Sequence, residues 1–310
     1  MQSPRTNMTK VPFKVLLCGG SGMLGQELLH SIPDGIDVWA PSSTELDIRH
    51  KDVVLQKAAT YQPDLIINAA AYTNVDAAET NEALAFAINR DGPENLGIYA
   101  AQANIPVFHI STDYVFDGTK GEPYTEEDEP NPINVYGKSK LAGERALQQV
   151  CERSLILRTS WLVGVHGDCF MRRFIKLMTE RERIFVVADQ YSAPTRADLF
   201  AAFIWCLASR SKEAQFIPRG ALHCAGKQCS SKYELIEHLR ILLLKKKKHQ
   251  KCMKVESVSY RFFENSAKRP AFSLLGTTIS NKRLTDSYDF LGEGLDKIIV
   301  RLYEQTYPDP

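Results

Sequence analysis

The stretch FKVLLCGGSGMLGQELLHSI, residues 13–32, carries the decision about the fold. It opens on an almost continuous apolar run that ends in glycine, the pattern of a strand buried on both faces of a parallel sheet. From Met23 onward the apolar residues recur with helical period. Between the two, GGSGMLG spans Gly19 to Gly25. Gly20, Gly22 and Gly25 satisfy G-x-G-x-x-G, while Gly19, Gly22 and Gly25 satisfy G-x-x-G-x-x-G. Such spacings permit a tight turn, close approach of backbone to a pyrophosphate and close helix–strand packing, with the phosphate on the helix N-terminus. In a strand–turn–helix setting this reads as a dinucleotide-binding loop.

Outward from this stretch, strand and helix keep alternating. IDVWA reads as a strand, KDVVLQKAATY as a helix, PDLIINAAA as a strand and NRDGPENLGIYAAQAN as a helix. IPVFHIST, YGKSKLAGERALQQV and RSLILRTSW continue as strand, helix and strand. The alternation predicts an α/β fold, a Rossmann-type doubly wound parallel sheet over residues 13–165. Beyond Trp161 the pattern loosens into CFMRRFIKLMTERE, RADLFAAFIWCLASR and SKYELIEHLRILLLKKKKHQ as helices, with RIFVVAD and GALHCAG as strands. Residues 166–310 are therefore expected to form mainly a smaller, interleaved substrate-binding lobe, with some segments returning to the sheet.

Composition narrows the partners. The chain has 310 residues, 44% hydrophobic and 24% charged, ordinary values for a soluble globular protein. A net charge of +1 gives no general electrostatic case for nucleic acid. No apolar run approaches the roughly 20 residues of a membrane helix. The polar start, MQSPRTNMTK, lacks the core of a secretory signal, so residues 1–12 are expected to be a disordered extension. Seven cysteines, an odd count without a C-x-x-C pair, point to neither a disulfide framework nor a zinc cage and fit a reduced, cytoplasmic protein. Lys245 to Lys248 are placed to touch phosphates, but a solvated helix C-terminus favoured by the dipole is the preferred reading.

The end of the second strand bears on the cofactor. An acid there marks NAD, because it bonds the ribose hydroxyls. Here Pro41, Ser42 and Ser43 follow, while Asp37 precedes the strand and Asp47 comes later. Without a repelling carboxylate a 2′-phosphate is tolerated, which favours NADPH, with Arg49 as a candidate partner and NADH still compatible. The small residues Ala69 to Ala71, after the third strand, leave room for a cofactor at the switch point. Tight helix–sheet packing would also explain them.

HISTDYVFDG places Ser111, Thr112 and Asp113 at the carboxyl edge of the sheet, and NVYGKSKLAGER sets Tyr136 and Lys140 one helical turn apart. Carbonyl reduction needs a hydride and a proton. A free tyrosine, with a pKa near 10, is too weak an acid for efficient proton exchange at neutral pH, and a lysine ammonium one turn away, with the cationic oxidised nicotinamide nearby, is expected to lower that value. The Thr112 hydroxyl is expected to bond the same carbonyl oxygen.

GGSGMLG, NAAAYTNVD, STDYVFDG, YGKSKLAGE, RTSWLVG, DQYSAPT and KRP together resemble the dTDP-4-dehydrorhamnose reductase family, the last enzyme of dTDP-L-rhamnose synthesis and a branch of the extended short-chain dehydrogenase/reductases. The resemblance runs from about Lys14 to Leu302. It implies Tyr136 as proton donor, Lys140 as its partner and ribose ligand, and Thr112 as the carbonyl-binding hydroxyl. It implies cofactor contacts at Gly19, Gly22, Met23, Leu24, Gly25, Asp47, Ile48, Ala69, Ala71, Tyr72 and Thr73. Asp113 and Trp161 would contact the dTDP-sugar and Arg269 its diphosphate, a surface arginine being the alternative. The resemblance further implies a homodimer, and in some members Mg2+ at its interface, held by acids at positions matching Glu27, Asp198 and Glu304. Asp198 stands where a glutamate is expected, and all three read more simply as exposed surface acids. Gly276 in AFSLLG and the shifted SNKRL depart from the family pattern, which bears on the choice of sugar. Competing readings are a reductase of another nucleotide-linked 4-keto-6-deoxy sugar, an epimerase or dehydratase that keeps its NAD, and a non-catalytic subunit. The beta subunit of methionine adenosyltransferase resembles this family and keeps the tyrosine–lysine pair.

Overall fold

The computed structural model describes residues 12–212, 219–246, 251, 254–263, 267–276 and 294–307. The expected extension (Pro12 apart), Lys247, Lys248 and SNKRL lie outside the described residues. The chain opens with β1 (Phe13–Cys18), α1 (Met23–His30), β2 (Ile36–Trp39), α2 (Lys51–Tyr61) and β3 (Leu65–Asn68). Next come α3 (Val75–Thr80), α4 (Glu82–Phe86), a π turn (Ala87–Asp91), α5 (Gly92–Ala103), β4 (Val107–Thr112), α6 (Val135–Val150) and β5 (Ser154–Thr159). The later half holds β6 (Leu162–Val163), α7 (Phe170–Glu180), β7 (Arg183–Val187), β8 (Tyr191–Ser192), β9 (Thr195–Arg196) and α8 (Ala197–Arg210). It closes with β10 (Gly220–His223), β11 (Ser230–Ser231), α9 (Lys232–Lys245), β12 (Lys254–Val258) and α10 (Leu295–Thr306).

The main sheet has six strands in the order β10-β5-β4-β3-β1-β2, every neighbouring pair parallel. The continuous apolar runs are explained by burial on both faces. Val15 and Leu17 of β1, with Phe108, Leu155 and Leu157, face α1 and α8, whereas Leu16, Ile66, Val107 and Ile156 face α2, α5 and α6. The chain reverses direction beside β1, with β2 on one side and β3 on the other, so the carboxyl ends of β1 and β3 flank the crevice where such sheets bind ligands.

A second core lies between α7, α9, α10 and the parallel pair β7–β12. On α7 it takes Met171, Ile175 and Met178, one helical stripe. Meanwhile α8 and β10, late in the sequence, pack on the main sheet. Two details differ from the sequence expectation. The strand expected over PDLIINAAA stops at Asn68, leaving Ala69 to Ala71 in a loop, and α3, α4 and the start of the π turn occupy a stretch given no element in the sequence reading. A small apolar cluster of Ala78, Ala85 and Val135 ties α3 and α4 to α6, a contact no local pattern announces.

Candidate active site

The glycine loop is held by backbone geometry. Gly19 has φ +85° and a Cβ there would strike the backbone of Ala69 and Ala70. A Cβ on Gly25 would run into the Gly19 carbonyl. At Gly22, by contrast, the nearest atom a Cβ would meet is Gly19 O at 3.4 Å, so the loop is open on that side. The amide of Gly22 bonds Gly19 O at 3.1 Å and Gln26 N–H bonds Gly22 O at 2.9 Å, which starts α1 at Met23. The first N–H groups of that helix have no intrahelical acceptor and make a phosphate cradle.

The loop floors a cavity of about 1310 Å3. Gly19, Gly22, Met23, Leu24, Gly25, Asp47, Ile48, Ala69, Ala71 and Thr73 all line it, with Ser43 and Arg49 at the end expected to meet the adenosine ribose. Arg49 forks onto Asp47, its Nε at 2.9 and 3.0 Å from the two carboxylate oxygens, which holds Asp47 below the usual carboxylate range. Asp37 is turned away, accepting from Tyr61 OH at 3.4 Å. Tyr72 is not in the cavity wall. Its N–H donates to Asn89 Oδ1 at 2.8 Å, and its ring packs in the small cluster under Tyr136.

Thr112, Tyr136 and Lys140 line the same cavity beyond the switch point. Asn134 caps α6 by accepting from Gly137 N–H at 2.7 Å, which fixes the first turn where Tyr136 sits. The expected lowering of the Tyr136 pKa by Lys140 is not what the structure gives: burial pushes the phenol up to about 12, only partly offset by the Thr112 hydroxyl. The reason lies in where the lysine points. Lys140 Nζ donates to Ile110 O at 2.7 Å and lies 3.2 Å from His109 Nε2, and burial lowers it to about 8. Ala70 N–H donates to Asn68 Oδ1 at 3.1 Å, so Asn68 Nδ2 donates to His109 Nδ1, also at 3.1 Å.

Asp113 is 2% exposed and committed to neighbours: Ser273 Oγ donates at 2.5 Å, Ser192 Oγ at 3.3 Å and Thr112 Oγ1 at 3.2 Å. Burial raises it to about 6. Its carboxylate thus orients Thr112. Trp161 also lines the cavity, with φ +39°, an unusual backbone for a non-glycine residue of the kind that gathers at functional sites. Arg269 also lines the cavity, its Nη2 donating to Asp76 Oδ2 at 2.7 Å, so it is no loose surface arginine.

Several residues here escaped the sequence reading: Asn89, His109, Gln190 and Lys232, together with a buried network behind β4 and β5. In that network Arg158 pairs with Glu144 at 2.7 Å, and Ser111 Oγ donates to Glu144 at 2.5 Å. Only the i, i+4 spacing and strand-end positions were readable signals; these partners come from distant segments.

Residues 13–303 match the family described as RmlD substrate binding domain. A dTDP-4-dehydrorhamnose reductase of Aggregatibacter actinomycetemcomitans is 36% identical over 267 residues, 86% of this chain and 91% of that relative. The chain belongs to the dTDP-4-dehydrorhamnose reductase family. Two solved reductases share the fold. That of Bacillus anthracis, in complex with NADP, gives a TM-score of 0.83 at 30% identity, covering 95% of this chain and 99% of that one. That of Clostridium acetobutylicum gives 0.84 at 32% identity, covering 93% and 99%. In this reductase the three acids expected at a magnesium site do not fit one. Glu27, expected to be exposed, is 5% exposed because its Oε1 accepts from Val165 N–H at 2.9 Å and His166 N–H at 3.2 Å. Asp198 is forked by Arg196 at 3.1 and 2.7 Å, and Glu304 lies on the exposed side of α10. Among the described residues no group of three or more His, Cys, Asp or Glu side chains is placed to hold a metal, and no helix is long and apolar enough to cross a membrane.

Proposed function

We propose that this reductase converts the C4 carbonyl of dTDP-4-dehydro-L-rhamnose (dTDP-4-keto-6-deoxy-L-mannose) to the alcohol of dTDP-L-rhamnose. The observation that carries the reading is the convergence of Thr112, Tyr136 and Lys140 on a cavity continuous with the open glycine loop. NADPH, when bound, supplies the hydride. The α1 N-terminus and Gly22 take its diphosphate, Ala69 to Ala71 and Thr73 flank the switch-point crossing, and Lys140 meets the nicotinamide ribose. The absence of an acid after β2 and the presence of Arg49 favour the 2′-phosphate, as does the NADP of the B. anthracis relative.

The protein's own chemistry is proton delivery. Raised to about 12, the Tyr136 phenol is fully protonated at neutral pH and stands loaded as an acid. An alkoxide developing at C4 is more basic than a phenolate, so the proton moves downhill from Tyr136 Oη to the C4 oxygen. When substrate enters, the Thr112 hydroxyl turns the proton it gives to Asp113 Oδ1 in the free site onto the same oxygen and holds the carbonyl in line. Lys140, at about 8 still largely an ammonium at neutral pH, then stabilises the phenolate left behind.

Oxidation of NADPH and of NADH with dTDP-4-dehydro-L-rhamnose tests this directly. Tyr136→Phe is expected to lower kcat by about 1,000-fold while leaving cofactor affinity within a few-fold. Tight cofactor binding without turnover in the wild type would overturn the reading.

A further inference from the structure

Lys232 opens α9 and is fixed at two points. Ser231 caps that helix through a reciprocal pair with Glu234, Ser231 Oγ accepting from Glu234 N–H at 3.1 Å and Glu234 Oε2 accepting from Ser231 N–H at 2.7 Å. The β8–β11 pairing, Ser231 opposite Tyr191, then sets the lysine beside Gln190, whose Oε1 accepts from Nζ at 3.3 Å. The ammonium rides 5.6 Å above the Trp161 ring and lines the cavity wall. Arg269 reaches the same wall from the far segment, anchored on Asp76. Arg269 is ion-paired with Asp76, whereas Gln190 takes one of the three Nζ donors of Lys232, so the remaining donors can serve an anion placed between the two cations.

We propose that Lys232 and Arg269 together hold the diphosphate of the sugar nucleotide, Lys232 by donating to a non-bridging phosphoryl oxygen while its stem rests on Trp161. Arg269 supplies the planar fork and Lys232 the point charge, a division suited to two adjacent phosphoryl groups. The assignment rests on the nucleotide-sugar reading above and deepens it. Nothing in the sequence around CSSKYE marks this lysine as a ligand; β8 and the Trp161 loop bring its surroundings together.

The charges facing Lys232 are Arg269, which opposes its protonation, and Asp113 and Asp76, which favour it; burial dominates and leaves it at about 8. A diphosphate favours the charged form. Binding in the range above about pH 7.5 therefore takes up a proton, and affinity falls as pH rises through 8 to 9.

The test is calorimetric titration of the full chain with dTDP and with thymidine, alongside KM and kcat. Lys232→Gln is expected to weaken dTDP by about 10- to 100-fold, leave thymidine unchanged, raise KM with kcat within a few-fold and flatten the pH slope above about pH 7.5. Lys232→Arg is expected to restore most of the dTDP affinity. Cofactor binding by each variant confirms that it is folded. An equal loss for thymidine and dTDP, or no loss for either, overturns the assignment. If the wild type turns over the keto sugar and Lys232→Gln keeps its KM, this inference fails while the function stands. If UDP or ADP rather than dTDP binds with the same Lys232 dependence, the phosphate assignment stands and the thymidine nucleotide is wrong.

Discussion

The two cores of this molecule are stabilised differently. Behind the large sheet, charge is buried: Glu144 and Arg158 are 2% and 5% exposed, and His223, at 1%, stands at the end of the same network. The core under α7, α9 and α10 is built from Leu, Ile, Val and Met with one buried Tyr303 and a Cys169. Buried ion pairs add little net stability but are intolerant of losing one partner, whereas apolar packing tolerates exchange of shape. The intolerant core carries Thr112, Tyr136 and Lys140, where a small displacement breaks proton transfer. The tolerant one backs Trp161 in the cavity wall.

This contrast can be broken by experiment. Arg158→Met is expected to cost about 3–5 kcal/mol, because Glu144 is left charged and buried with Ser111 as its one remaining hydrogen-bond partner among the described residues. The denaturant midpoint reads the loss, and kcat should fall with it since β4 carries Thr112. Ile175→Ala, in the apolar core, should cost about 2–4 kcal/mol while NADPH affinity changes by no more than a few-fold, because, of the glycine loop, only Met23 packs against that core and Leu24 belongs to the other. If the apolar substitution proves the more damaging to catalysis, the comparison fails.

How much of this was visible in the chain follows the same division. GGSGMLG could be read because its glycine spacing falls within seven residues, although the demand on Gly19 comes from Ala69 and Ala70, and Tyr136 with Lys140 because a helix turn sets their spacing. The pKa of Tyr136 could not, because it is set first by burial, while Lys140 is drawn to Ile110 O and His109, about thirty residues upstream. Likewise, nothing near Glu27 told that two amides from the Val165–His166 loop would bury it. Lys232 looked like any helix-opening lysine until β8 and Trp161 closed around it.

The mildest test is acidification. His223 donates through Nδ1 to Gly276 O at 2.7 Å and faces the Arg158 guanidinium with Nε2, so burial and that charge keep it neutral, down to about 4. Its folded value lies below its ordinary one, so the unfolded chain binds the proton first. The contribution is complete above about pH 6.5 and drains away between there and pH 4, at most a few kcal/mol. Chemical denaturation at stepped pH, wild type against His223→Gln, would show a steeper acid loss in the wild type; parallel curves would remove His223 from the account.

The position of β10 has a consequence for synthesis. It pairs with β5, yet it is encoded after α7, β7 and α8. While the chain leaves the ribosome, β5 presents a row of unpaired amides and carbonyls, an invitation to association with other nascent chains. The edge closes only when Gly220–His223 emerges, by which time much of the other lobe has been translated. Separate expression of residues 13–165 would make that interval permanent, and a chaperone that shields strand edges would be needed most during it.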